Sequence, residues 1–285
     1  SAFGIESPFH RPFDDRAGAV AHCKGKPLLN FSSYDYLGLN DHPAVLDAAS
    51  AALRTFGVSC SASRLVGGER SLHTAFERDL AAFLGVADCV AMVSGHATNV
   101  TTIGTLLSPG DLIIHDELAH NSVLEGARLS GAARLSMPHN NLDWLEQTLA
   151  SRRLQHRRVL IAVEGLYSMD GDTPDLARLI DIKNAFDAWM MVDEAHALGV
   201  LGETGRGTAE AQGVNPADVE IWMGTLSKSL GSTGGYIAGS ESLVALLKAR
   251  APGFVFSVGL PPVLTAAAHT ALGLLQSEPW RVARL

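Results

Sequence analysis

One lysine of this 285-residue chain stands among neighbours that change its chemistry. The run Met223-Gly224-Thr225-Leu226-Ser227-Lys228-Ser229-Leu230-Gly231 puts hydroxyls on both sides of Lys228 directly after a predicted strand, and Gly234-Gly235 follows. A solitary lysine belongs in solvent. A lysine held beside phosphate-binding hydroxyls can form a Schiff base with a phosphorylated aldehyde, and a depressed pKa aids both imine exchange and proton transfer. Upstream, Met191-Val192-Asp193-Glu194-Ala195-His196 supplies a carboxylate at a strand end and an imidazole three residues later. Taken singly, Asp193 reads equally as a helix cap, and His196 as a histidine satisfying a buried carbonyl. Taken together they suit a pyridine ring: Asp193 can pair with the protonated ring nitrogen and stabilise an electron sink, while His196 can bond a phenolic oxygen near the imine. His120, after another predicted strand, can cover the ring face or be an ordinary loop histidine. The aldehyde that answers to this set is pyridoxal phosphate.

Such a constellation needs strand ends to hold it. β-rich runs at 89–93, 111–115, 133–137, 159–163, 189–192, 221–223 and 236–238 predict seven strands, and periodic segments at 43–56, 72–83, 120–129, 141–151 and 261–275 predict helices. The strands are apolar throughout instead of alternating, as expected where helices cover both faces of a sheet. Connections long enough for crossover helices make that sheet largely parallel. Its carboxyl ends are where a ligand site belongs. Pro8, Pro12, Gly25 and Pro27 break up an entrance segment that holds one short predicted strand at 28–31.

Composition narrows the class. With 22 basic against 30 acidic side chains, a net charge of -8 and only five lysines to 17 arginines, the chain has no excess of phosphate-neutralising groups, which disfavours nucleic-acid binding. At 47% hydrophobic residues it can bury roughly 70–75% of its unfolded surface, enough for one large α/β domain or one plus a small appendage. Cys23, Cys60 and Cys89 form neither a metal pattern nor an even disulfide set. No apolar run spans a bilayer, the stretch 253–262 being too short and interrupted, and 1–4 lacks the features of a secretion signal. A cytoplasmic location is the expectation. The acidic loop 164–172 reads as a turn capped by Asp170 and Asp172, with no metal required.

Several motifs recur as a set: Tyr36-Leu37-Gly38-Leu39, Ser63-Arg64-Leu65-Val66-Gly67-Gly68, the turn over 94–99, His120-Asn121-Ser122, the loop 164–172, Asp193-Glu194-Ala195-His196 and Gly224-Thr225-Leu226-Ser227-Lys228. Over nearly all of 28–262 the chain resembles the α-oxoamine synthases, a branch of the fold-type I pyridoxal-phosphate enzymes. The resemblance implies an α/β fold with a mostly parallel seven-stranded sheet covered by helices. It also implies an N-terminal segment at 1–50, a large cofactor domain at 51–262, and at 263–285 the start of a connection to a small C-terminal domain that is missing or incomplete. Relatives carry in that domain an arginine for the substrate carboxylate, which has no counterpart here.

By the same resemblance Lys228 carries the cofactor aldehyde, Asp193 contacts the ring nitrogen, His196 the phenolic oxygen, and His120 stacks on the ring. Ser94, Gly95, His96, Thr225 and Ser227 surround the phosphate, with Glu164 and Ser168 near the cofactor. Ser257 approaches the partner's phosphate in a homodimer with shared active sites. The implied enzyme is an acyltransferase that condenses a small α-amino acid with an acyl thioester, on coenzyme A or acyl-carrier protein, giving an α-aminoketone, carbon dioxide and free thiol. An aminotransferase or lyase, or a noncatalytic synthase-like subunit, is the alternative. Arg64 is the candidate for the substrate carboxylate, or else a brace for its loop; there the chain has Gly67-Gly68-Glu69 where relatives commonly continue Ser-Gly-Thr. His96 stands where relatives often have an aromatic residue.

Overall fold

The computed structural model describes residues 9–16 and 18–285, so the sequence start at 1–4 and the breaker Pro8 lie outside the described residues. A hairpin of β1 (Val20–Cys23) and β2 (Lys26–Leu29) comes first. Its two-residue turn, Lys24-Gly25, has positive φ at both positions, the geometry that matches the twist of paired strands. That turn fixes the register two residues ahead of the predicted 28–31 strand, and Asn30 leaves the ladder to bond Gly18 O at 3.1 Å. Next come α1 (Pro43–Phe56), capped by His42, a single π-helical turn at Arg64–Gly68, and α2 (Ser71–Leu84).

Strands and helices then alternate as β3 (Asp88–Met92), α3 (Gly95–Leu106), β4 (Leu112–Asp116), α4 (Asn121–Ser130), β5 (Ala133–Met137), α5 (Leu142–Arg152), β6 (Val159–Glu164), α6 (Leu176–Ala185), β7 (Trp189–Asp193), α7 (Thr208–Gln212) and β8 (Ile221–Thr225). The chain closes with β9 (Gly235–Gly239), α8 (Glu241–Arg250), α9 (Pro252–Val255), α10 (Pro262–Ser277) and α11 (Trp280–Arg284). The seven strands lie in the order β3-β9-β8-β7-β6-β4-β5, and β9 runs antiparallel to both of its neighbours while the other pairings are parallel.

Two apolar layers account for the unbroken hydrophobic strands. Val159, Ile161 and Val163 of β6 face a cluster with Phe76 and Leu80 of α2, Leu145 of α5, Leu179 of α6 and Leu272 of α10. Leu160 and Ala162, between them, face Ile103 of α3, Val123 of α4 and Leu247 of α8. The first cluster also takes in Leu37, Leu39 and Val45 at one end of the chain and Val282 at the other. Helix α1 crosses the expected boundary at residue 50 and packs on α10. Among the described residues no helix is long and apolar enough to cross a membrane, and the three cysteines are free and buried.

Candidate active site

β6, β7 and β8 end side by side on Glu164, Asp193 and Thr225, and the first turns of α3 and α4 reach over the same edge. Between them lies a cavity of about 320 Å³, at the small end of the range for small-molecule sites. One wall is an anion cradle. Ser94 caps α3, accepting the Ala97 N–H, and leaves the helix's remaining first-turn N–H groups beside Gly95 and His96 at the cavity. Thr225 donates to Gly234 O at 2.9 Å and accepts from Ser227 Oγ at 2.7 Å, so two hydroxyls face that helix start. A side chain on Gly95 would stand 3.0 Å from Thr225 Oγ1, and one on Gly235 only 2.7 Å from Gly95 Cα. Glycine at both places is what lets the helix terminus approach the hydroxyls so closely.

The floor is Asp193, buried at the last position of β7. Its oxygens accept from Asn99 Nδ2 at 2.8 Å and the Ala195 N–H at 3.0 Å. Burial pushes its pKa up, and these two donors pull it part of the way back. Asn99 also donates to Ser122 Oγ at 2.9 Å, while its own Oδ1 is buried without a partner.

Opposite, Lys228 Nζ lies 2.7 Å from His196 Nε2, and His196 Nδ1 lies 2.9 Å from the Tyr36 hydroxyl. Burial lowers the lysine pKa against the pull of Asp193 and Glu164. Burial, followed by the charges of Lys228 and His120, lowers His196 to about 4, so its ring is neutral at pH 7. Facing an ammonium, Nε2 must be the accepting nitrogen, which leaves Nδ1–H to donate to Tyr36. His120 caps α4 through Ser122 and donates its backbone N–H to Glu164 Oε1 at 2.7 Å. Burial first, and the charge of Asp193 second, push Glu164 up to about 8. The His96 and His120 rings meet edge to face at 6.2 Å.

Ser94, Gly95, His96, His120, Glu164, Ser168, Asp193, His196, Thr225, Ser227 and Lys228 thus line one cavity. Arg64 does not. Its guanidinium is buried and bonded to Glu69 at 2.8 and 2.7 Å and to Glu77 through both terminal nitrogens, with Phe254 beneath it at 5.1 Å. The expectation that it grips a substrate carboxylate is corrected to a brace, because two protein carboxylates already occupy its donors. Ser257 lies outside this cavity, after α9, its hydroxyl donating to Val258 O. Asn99, Ser122 and Tyr36 join the site without having been singled out for it. For Asn99 a signal existed: it is a polar residue five positions after the Ser94 cap in a helix that covers a sheet.

The family model for aminotransferase class I and II matches residues 26–285. A putative 8-amino-7-oxononanoate synthase from Gloeobacter violaceus is 43% identical over 275 residues, 96% of this chain and 70% of the relative. The solved serine palmitoyltransferase of Sphingomonas wittichii superposes with a TM-score of 0.92 at 32% identity, covering 96% of this chain and 69% of that one. The chain belongs to the α-oxoamine synthase family. A serine palmitoyltransferase from S. paucimobilis, solved with PLP–myriocin bound, matches this α-oxoamine synthase at a TM-score of 0.92 and 28% identity over 99% of the chain and 73% of its own length.

The residues lining this cavity fit pyridoxal phosphate. The glycine-lined cradle suits a phosphate, and Lys228, the only lysine lining the cavity, suits an aldehyde. Asp193, buried and held by neutral donors alone, suits a protonated ring nitrogen.

Proposed function

We propose that this chain catalyses the pyridoxal-phosphate-dependent decarboxylative condensation of a small α-amino acid with an acyl thioester, carried by coenzyme A or an acyl-carrier protein. The products are an α-aminoketone, carbon dioxide and the free thiol. What carries the reading is that one cavity joins the Lys228–His196 pair, the Asn99–Asp193 pair and the α3 cradle, within a chain of this family.

Bound pyridoxal phosphate supplies a ring that withdraws electrons from the amino acid's α-carbon. Asp193 would keep a proton on the ring nitrogen, and Asn99 favours its ionised form by donating to it. Lys228 Nζ would hold the aldehyde and, once released, move a proton at the α-carbon; its lowered pKa raises the fraction present as free amine. His196 orients the free Nζ through Nε2, and with the cofactor bound the other tautomer, Nε2–H with Nδ1 accepting from Tyr36, would donate to the phenolic oxygen. His120 would cover the ring face, its backbone N–H anchored on the Glu164 carboxyl. Ser94, Gly95, His96, Thr225 and Ser227 would hold the phosphate, and Ser168 lines the same cavity as Glu164.

In this reading the large cofactor domain spans 51–262 and is completed by α1 and α10, which pack on each other across the boundaries expected at 50 and 262. The working unit is a cytoplasmic homodimer in which Ser257 approaches the partner's phosphate. The exposed Leu65, Val66, Phe256 and Val258, on or next to the π-helical turn and α9, which pack together, support that contact, since contiguous exposed apolar side chains mark interaction surfaces. Protein given pyridoxal phosphate should show a visible absorption band that Lys228→Ala abolishes. A chain that stays colourless with added cofactor would sink the assignment.

A further inference from the structure

Beside the cavity sits a titratable cluster that the proposed chemistry leaves unused. His139, on the turn between β5 and α5, sets both ring nitrogens against carboxylates: Nδ1 is 2.9 Å from Asp116 Oδ1, and Nε2 is 2.8 Å from Asp172 Oδ2. An ionised carboxylate only accepts, so a ring bonded to carboxylates at both nitrogens carries both protons.

Each carboxylate organises a segment that reaches the cavity. Asp116, buried at the end of β4, accepts the N–H groups of Leu118 and Asn140 at 2.9 Å, and its backbone oxygen takes the Ala119 N–H at 3.0 Å. Leu118 and His120, on that turn, line the cavity. Asp172 closes the loop that carries Ser168: its Oδ2 also accepts from Asn140 Nδ2 at 2.9 Å, and its backbone oxygen takes the Tyr167 N–H at 3.0 Å. Tyr167, buried, meets the His139 ring edge-on at 4.5 Å. The groups facing His139 are therefore Asp116 and Glu117 from the end of β4, Asp172 and Tyr167 from the loop after β6, and Asn140 beside it, whose Nδ2 lies 3.3 Å from Nε2; Glu117 Oε1 accepts the His139 N–H at 2.8 Å.

We propose that His139, held as the imidazolium between Asp116 and Asp172, is a positioning residue that clasps the 118–120 turn to the Ser168 loop and releases the cavity mouth on losing its proton. Burial opposes the charge on the ring, but the two carboxylates outweigh it, and the pKa stands above its ordinary 6.5. Because folding raises the pKa, the clasp is complete below about 6.5 and is lost as pH climbs through the folded value. The device would set an alkaline limit on catalysis without touching the reacting atoms.

Met169, next to Ser168 and almost wholly exposed, is a reporter for the loop. The test follows the His139 ring nitrogens and the Met169 methyl by NMR in the folded chain from neutral into alkaline solution. Both nitrogens should be protonated at neutral pH, with a midpoint above 6.5 that the Met169 methyl shares, while buried Met190 stays still. In Asp172→Asn both midpoints should move down together, and the alkaline limb of kcat/KM should move with them. In His139→Gln the Met169 titration should vanish. A ring with a single proton at neutral pH, or a Met169 signal that ignores the His139 midpoint in Asp172→Asn, overturns the clasp. These NMR readouts need no turnover, so they stand or fall apart from the reaction proposed above.

Discussion

Replacing Arg64 by methionine separates a brace from a substrate grip. The guanidinium and the Glu77 carboxylate are each 3% exposed, whereas Glu69 is 47% exposed. Removing the arginine leaves Glu77 deep in the protein with the Lys248 ammonium at 3.0 Å and the Ala91 N–H at 2.8 Å. Breaking a buried pair costs about 3–5 kcal/mol, and the surviving lysine places this case at the low end, about 3 kcal/mol. For a domain near this size each kcal/mol moves Tm by about 2–4 °C, so Arg64→Met should melt about 6–12 °C lower. Glu69→Gln, which touches only the half-exposed arm, should cost under about 1 kcal/mol. A double-mutant cycle with Glu77→Met should recover much of the loss, since the stranded carboxylate goes with it. Thermal and denaturant unfolding measure all three, beside steady-state kinetics at a temperature where Arg64→Met is folded. If Tm is unchanged while the KM for the amino acid rises steeply, the brace is wrong and Arg64 binds substrate.

Gly95→Ala should weaken cofactor binding. Its methyl would press on Thr225 Oγ1 from 3.0 Å, and losing one hydrogen bond to a charged phosphate costs about 1.5–3 kcal/mol, or about 10- to 150-fold in Kd by absorbance titration; an unchanged Kd would contradict the cradle. Glu164 titrates near 8 when folded against an ordinary 4.5, so between those values the folded chain holds a proton that the unfolded chain has shed, and stability falls as pH rises across that window. Glu164→Gln should flatten that slope in denaturant midpoints taken across the window; parallel profiles would contradict the burial argument.

The central strands were legible because their middle positions are apolar on both faces, a pattern that two helical layers impose, whereas edge strand β5 carries Arg134 and Ser136. Their ends were less so. Asp193 and Thr225 are the last paired residues of β7 and β8, yet as polar residues they look like loop. The antiparallel course of β9 has a plain cause: nine residues, 226–234, join it to β8, too few for a crossover helix. The cofactor constellation was readable because its members cluster at strand ends. Arg64 was ambiguous because its partners lie five and 13 residues away, and only tertiary packing chooses between a carboxylate of the chain and one of a substrate. Tyr36 meets His196 across 160 residues, a contact no local pattern announces.

The central claim is the reaction. Protein loaded with pyridoxal phosphate should be incubated with carboxyl-labelled glycine, alanine or serine and a panel of short and long acyl thioesters on coenzyme A and carrier protein. Labelled carbon dioxide, free thiol and α-aminoketone would be counted together by mass spectrometry. The account predicts that for at least one pair the three appear in equal amounts and that all three vanish in Lys228→Ala. Cofactor-bound protein that releases no carbon dioxide with any pair, or that only moves the amino group to a keto acid, would contradict it.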